Sequence, residues 1–215
     1  MKIIKPTYEF ITPINENTYN TILKRLEIAG RTCYKSENNI TEESAEKFVK
    51  MLIKRGHEAM IEHCSFTVKF IVDRGVSHEL TRHRIASFAQ ESTRYCNYSN
   101  DKFGNELTFI RPFYYYNCVE PNRQIEYNIW KESCQVAEDN YFKLLKNGSK
   151  PEEARSILPN SLKTEIVMTM NIREWRHFFK LRCDKAAHPQ MREIAIPLLL
   201  ELQEKMPALF EDIVY

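Results

Sequence analysis

The stretch from Arg82 to Tyr95 gathers the side chains best suited to holding an anionic, hydrogen-bonding ligand. Arg82, His83 and Arg84 are adjacent donors. After the apolar step Ile85-Ala86 come Ser87, Gln90, Glu91, Ser92, Thr93 and Arg94. A guanidinium keeps its charge and presents a planar fork of donors that suits phosphate or a carbonyl edge. A solvated basic turn is the plain alternative, and composition alone does not separate the two. Further arginines downstream add weight: Arg155, then Arg173 and Arg182. On a helix over 173–182, Arg173 and His177 lie one turn apart on one face. Arg182 falls at the C-terminal end, where a cation is favoured with or without a ligand. Each of these arginines taken singly has an ordinary explanation.

The histidines invite a metal reading. His57-Glu58-Ala59-Met60-Ile61-Glu62-His63 fails it on spacing: a zinc-binding helix needs its second histidine at 61, and the inverted form needs one at 59. The histidines read instead as hydrogen-bonded loop residues, and no metal is expected. Six cysteines, 33, 64, 96, 118, 134 and 183, lie at wide intervals without a C-x-x-C pair, which disfavours a zinc ribbon or a redox dithiol. With no secretory leader at Met1–Pro6, reduced thiols and a cytoplasmic setting are expected. Lys plus Arg number 31 against 29 acidic residues, a balance that disfavours general nucleic-acid binding. Any anion site must therefore be local. No apolar run approaches the ~20 residues of a membrane helix.

The elements that must position these residues read as follows. Residues 2–12 form an edge strand at best, interrupted by Pro6. A helix over 17–29 stops at Gly30, and 31–36 is a polar loop. A second helix is N-capped by Thr41 and ended by Gly56, with Ala45, Phe48, Val49, Leu52 and Ile53 buried. Phe66, Val68, Phe70 and Val72 alternate as a strand. Asp73-Arg74-Gly75 turns the chain, and a short helix or turn over 76–84 delivers the Arg82 stretch as a loop beyond the strand end. Leu107–Ile110 is a strand, and 112–116 an aromatic patch. The longest helix runs from Pro121 to Asn147, with Ile125, Ile129, Val136, Tyr141, Leu144 and Leu145 as its apolar positions and Gly148 as its stop. Ser149 with Glu152 resembles a capping box for 151–158. Lys163–Met170 is a strand. The 173–182 helix buries Trp175, Phe178, Phe179 and Leu181, and the last helix, 190–206, contains Pro197. The length fits one domain over 1–215.

Arg82-His83-Arg84, with Ser92 eight positions on and Arg94-Tyr95 closing the run, resembles the signature of the flavin-dependent thymidylate synthases. Other landmarks occur in order: Gly56-His57-Glu58 with Glu62-His63 and Phe66, Ser77-His78-Glu79, Arg155 with Leu158-Pro159, Asn171 with Arg173, and Arg182 followed by His188 and Gln190. Together they cover roughly residues 20 to 195, a span that chance does not explain.

The resemblance implies an α+β fold, a mixed α/β domain with a central antiparallel-type sheet flanked by helices, assembling as a homotetramer with active sites at subunit interfaces. It implies FAD as cofactor, with NADPH and methylenetetrahydrofolate as co-substrates, and reductive methylation of dUMP to dTMP with release of tetrahydrofolate. Carried over by position, Ala59, Arg82, His83, Arg84, Gln90, Asn171, Arg173 and His177 would contact FAD. Glu79, Arg82, Gln90, Glu91, Ser92, Thr93, Arg94, Arg155 and Arg182 would contact dUMP, with Arg182 catalytic. His57 matches a histidine near the flavin and folate access. Several positions depart from the family pattern. Ala59 replaces a common hydroxyl residue, and Ala89 and Gln90 stand where Asn and Glu often occur. Glu79 takes the place of a Gln, and His177 that of an Asn.

The residue chemistry agrees. Methylating C5 of uracil requires electron density there, which stabilised negative charge at N3 and its flanking carbonyls provides. An arginine cannot be the base at neutral pH, so its contribution is electrostatic. Arg94 with Ser92 and Thr93 suits a 5′-phosphate. Ser92 has no adjacent histidine or lysine to activate it, so it reads as a ligand and not a nucleophile. Two rivals stand beside this reading: a metallohydrolase built on His57, His63, His78 and His83, and a nucleotide- or RNA-binding module built on the arginines.

Overall fold

The strictest alternation in the sequence forms the centre of a sheet. In the computed structural model, which describes residues 1–99, 104–117 and 119–215, strand β3 spans Ser65–Asp73 and β6 spans Lys163–Asn171. Phe66, Val68, Phe70 and Val72 are buried from one strand, and Thr164, Ile166, Met168 and Met170 from the other. Thr67 and Thr169 share a hydroxyl hydrogen bond at 2.8 Å, Ile172 N–H donates to the Cys64 carbonyl, and Arg74 N–H donates to that of Leu162. Residue numbers rise on one strand as they fall on the other, so the pair is antiparallel. The four-stranded sheet runs β2 (Thr7–Phe10), β3, β6, β4 (Ser87–Gln90). The stretch expected as a loop beyond a strand thus carries an edge strand of its own. A second, two-stranded sheet pairs β1 (Lys2–Ile4) in parallel with β5 (Thr108–Ile110). Pro6, which has no N–H for a ladder, separates β1 from β2.

The chain divides into two compact units. The first comprises 1–7, 70–82 and 89–166. Its core joins Tyr98, Leu107, Phe109 and Leu162 to Cys134 and Tyr141 of α4 (Pro121–Lys146) and Ala154 of α5 (Pro151–Ala154). Helix α4 begins and ends as its Pro and Gly predict, but it shows a different face: Ile125, Ile129 and Val136 are exposed, and Glu138 is buried. Glu138 is drawn inward because its carboxylate accepts from Leu107 N–H at 2.6 Å and pairs with the Met1 ammonium. The expected capping box is displaced by one residue, with Glu153 accepting from Lys150 N–H at 2.7 Å. Cys118 lies outside the described residues.

The second unit comprises 8–69, 83–88 and 167–215. Helix α6 (Ile172–Arg182) lays Trp175 flat on Phe66, ring centroids 4.7 Å apart, and the indole N–H donates to the Phe66 carbonyl. Phe178 and Phe179 extend this core toward Phe210 of α8 (Pro207–Phe210), while Leu181, expected inside, is exposed. Burial of each such ring is worth about 1.5–3 kcal/mol. Arg176 is buried as well, and its fork is held bidentately by Asp212 at 2.7 Å. Helix α7 (Pro189–Lys205) contains Pro197 and buries Ile194, Leu198, Leu199 and Leu202. Helix α2 (Ser44–Lys54) is not capped by Thr41. The Ser44 hydroxyl bonds Thr41 instead and reaches the Glu27 carboxylate. At the far end Gly56 adopts φ +71 and lets His57 N–H reach the Leu52 carbonyl, the helix stop expected there.

Gly30 does not end α1 (Glu16–Tyr34), which runs on to a left-handed Lys35. It is a packing notch: an added Cβ would lie 2.6 Å from Phe48 and 3.2 Å from Leu52. Alanine would gain about 1 kcal/mol of helix propensity and cost about 1–3 kcal/mol in overpacking. Gly30→Ala is therefore expected to lower the denaturant midpoint at unchanged slope, and a raised midpoint would contradict this account of the notch.

Candidate active site

In the first unit, Asp73 N-caps α3 (Arg74–Leu80) by accepting from Val76 N–H at 2.8 Å. That fixes Ser77, whose buried hydroxyl accepts from the Gln90 amide nitrogen at 2.9 Å. The same nitrogen donates to Thr164 at 3.2 Å, so Gln90 ties β4 to α3 and β6. Glu91 is also a clamp: its carboxylate accepts from Tyr98 O–H and Glu165 N–H and pairs with Lys163 at 3.0 Å. Beyond this anchored strand the chain turns. Tyr95 and Cys96 N–H donate back to the Ser92 carbonyl, and Arg94 N–H donates to the Ser92 hydroxyl. Thr93 is buried and its hydroxyl accepts from Arg155 at 3.4 Å. The Arg94 guanidinium lies 4.4 Å over the Tyr95 ring and bonds its hydroxyl. Ser92, Thr93 and Arg94 thus share one turn, which the exposed Arg155 guanidinium joins through Thr93, a donor set suited to phosphate. Arg82 is exposed just after α3, its N–H donating to the carbonyl of Glu79.

In the second unit, Asn171 N-caps α6, its side chain accepting from Glu174 N–H at 2.9 Å. Arg173 and His177 are exposed on this helix as their spacing predicts. Arg173 is already engaged, 2.6 Å from Glu62 and 3.7 Å from Glu58 of the 3-10 turn Glu58–His63. Ala59 is exposed on that turn, and His57 just before it stacks on Tyr34 and meets its hydroxyl at 3.0 Å. His83 is buried. Its Nδ1 lies 3.1 Å from Glu174 and its Nε2 accepts from Arg182 Nε at 3.0 Å, while its ring abuts Phe178 and His177. Arg84 is exposed beside it in sequence.

Of the residues expected to contact dUMP, all but Arg182 belong to the first unit. Of those expected to contact FAD, Ala59, His83, Arg84, Asn171, Arg173 and His177 belong to the second, and Arg82 and Gln90 to the first. Sequence reasoning missed Glu174, although Asn171-x-x-Glu174 carries the spacing of a helix cap. It also missed the carboxylates of Glu58 and Glu62 that hold Arg173.

Among the described residues, His83, Glu174 and His177 form a group whose ligand atoms fall within 4.8 Å of one another. A divalent ion there would face the Arg182 cation, which already takes the His83 Nε2 lone pair. Of the four histidines in the metallohydrolase alternative, His83 alone joins this group among the described residues. Burial pushes the Cys183 thiol, beside Arg182, up to about 12, which keeps it protonated and unreactive.

Burial holds His83 below the usual histidine range, aided by the Arg182 charge and opposed by Glu174. The unfolded chain therefore takes up a proton that the native one refuses. The contribution of His83 to stability is present above pH 6.5 and is lost as pH falls below it, by at most about 1.4 kcal/mol per pH unit. Denaturant titrations across this range should show the slope, and His83→Gln should flatten it. An equal slope in both proteins would contradict the buried neutral imidazole.

Residues 17–208 match the family model described as thymidylate synthase complementing protein. The chain is similar to the flavin-dependent thymidylate synthase of Geobacter sulfurreducens, 33% identical over 192 residues that cover 86% of this chain and 79% of the relative. It is 34% identical over 177 residues to that of Pyrococcus furiosus, covering 82% and 70%. With that of Pyrococcus abyssi it shares 34% identity over 171 residues, covering 79% and 67%.

Proposed function

The chain belongs to the thymidylate synthase complementing protein family, and from that premise we propose that it is a flavin-dependent thymidylate synthase, converting dUMP to dTMP. The match over 17–208, which encloses every arginine discussed above, carries the reading.

The turn Ser92–Thr93–Arg94, backed by Arg155, holds the nucleotide 5′-phosphate through charge-assisted hydrogen bonds. Gln90 and Glu91 anchor that turn, and Glu79 and Arg82 flank it. Arg182 places its fixed charge against the uracil, where negative charge at N3 and its neighbouring carbonyls raises electron density at C5. C5 then bonds the methylene carbon of methylenetetrahydrofolate as that carbon's bond to the folate nitrogen breaks, and the hydrogen of C5 leaves as a proton. The arginine moves no proton; it lowers the energy of the charged state. The donor set fits FAD: exposed Arg82, Arg84 and Arg173, with His177 and the backbone at Ala59, offer what a pyrophosphate needs, and His83, Gln90 and Asn171, whose side-chain groups are engaged within the fold, support the flavin site from behind. When bound and reduced by NADPH, FAD would supply the hydride needed to complete the methyl group, with tetrahydrofolate as the released product. His57, paired with Tyr34 at the surface, lines the flavin and folate access. No metal takes part, and the buried Cys183 serves as no nucleophile.

Residues 1–215 act as one domain of this family, in the cytoplasm, on small molecules and not on nucleic acid or membrane. Among the described residues no helix is long and apolar enough to cross a membrane. Copies assemble as a homotetramer that brings the residue sets of different subunits to one substrate. The exposed Ile125, Ile129 and Val136 of α4 support a contact with another copy.

The purified protein should be yellow, with a flavin spectrum that bleaches on adding NADPH and shifts on adding dUMP; a colourless protein that binds no FAD refutes the reading. Arg182→Ala should keep the flavin spectrum and abolish dTMP formation, and near-normal turnover would remove its assigned role. Arg94→Ala should weaken dUMP binding by roughly 10–100-fold, the loss of a charged hydrogen bond. Ile129→Glu should reduce the particle mass measured by light scattering, and an intact tetramer would clear that face of the contact.

A further inference from the structure

We propose that Glu174 is a positioning residue for Arg182, acting through His83. The inference rests on the role given to Arg182 above and adds what aims it.

The contacts allow one reading. An arginine Nε–H donates and never accepts. Arg182 Nε lies 3.0 Å from His83 Nε2, so that nitrogen must present a lone pair. The proton of the neutral ring is then on Nδ1, which lies 3.1 Å from Glu174 Oε1. A carboxylate only accepts, so Glu174 selects the one tautomer that Arg182 can use. His83 is 4% exposed, and the opposite tautomer would find no water to relieve it. That tautomer would set donor against donor at Arg182 and a lone pair against the carboxylate at Glu174.

Glu174 is itself held in place. It sits in the first turn of α6, where negative charge is favoured, and its N–H is capped by Asn171. The His83 ring is braced edge-on against Phe178, centroids 5.1 Å apart. Cap, carboxylate, imidazole and guanidinium therefore form one chain in which each contact sets the donor or acceptor role of the next. A misplacement of about 1 Å at a group that stabilises developing charge costs on the order of 100-fold in rate. Loss of Glu174 should fall on kcat and spare the KM for dUMP, because the phosphate is held by other residues.

The test uses the FAD-loaded full chain. Steady-state dTMP formation is compared for wild type, Glu174→Leu and Glu174→Gln, alongside nitrogen-15 correlation spectra of the histidine rings. Wild type should show His83 protonated on Nδ1 with Nε2 bare. Glu174→Leu should lose roughly 100-fold in kcat with little change in KM, and its His83 should shift toward the Nε2–H form. Glu174→Gln, which keeps an acceptor for Nδ1–H, should restore kcat to within about fivefold of wild type and restore the ring spectrum. A Glu174→Leu enzyme within about twofold of wild type, or one whose glutamine counterpart gives no rescue, would overturn the proposal. If the leucine variant does not fold, the wild-type spectrum decides alone: a protonated Nε2 overturns the relay, and a bare one supports it. A wild-type chain that binds FAD yet forms no dTMP would instead refute the assigned reaction, leaving the ring spectrum to judge the relay separately.

Discussion

A guanidinium group keeps its proton at any pH the folded protein survives, and its neighbours must adapt to that. Around Arg182 the adaptation reaches several residues inward: His83 must offer a lone pair, Glu174 must take the proton on the other side of the ring, and Asn171 must cap the turn that presents Glu174. Around Arg176 it takes the form of a buried fork answered by both oxygens of Asp212. Around Arg173 it takes the form of two acidic neighbours on the 3-10 turn. The charge on each arginine is constant, so the protein controls only placement. Much of the polar architecture in α6 serves that end.

The same logic separates anchoring from presenting in the Arg82–Tyr95 stretch. Gln90 and Glu91 have their polar atoms engaged with Ser77, Thr164, Tyr98, Glu165 and Lys163, which fixes the end of β4. Ser92, Thr93 and Arg94 follow on a turn that inherits this rigidity. A residue that grips the scaffold and one left available at the surface can be adjacent and of the same chemical type.

That similarity limits what could be read from the sequence. β3 and β6 were legible because alternation at period two means the same thing wherever a sheet has a buried face. The length of α4 was legible from Pro121 and Gly148, but its buried face was not. Ile125, Ile129 and Val136 look like core on an amphipathic helix, and only the contacts of Glu138 reveal the turn of the helix about its axis. Gly30 was ambiguous for a related reason: a missing Cβ ends a helix or admits a neighbour, and Phe48 decides which. The arginines proposed to form the site stand out in the sequence by type and order. Glu174 was not, because its importance lies in a contact with His83, 91 residues away, that no local pattern encodes.

The Arg176–Asp212 fork has a consequence for how the second unit comes into being. The Arg176 guanidinium on α6 is buried, yet the carboxylate that grips it bidentately is 36 residues further along the chain. Glu58 of the 3-10 turn reaches the same guanidinium at 3.8 Å, but its bidentate partner is in place only once the segment carrying Asp212 has folded against α6. Closing the inner face of α6 therefore depends on contacts of long sequence separation on both sides of it, the kind that slow folding.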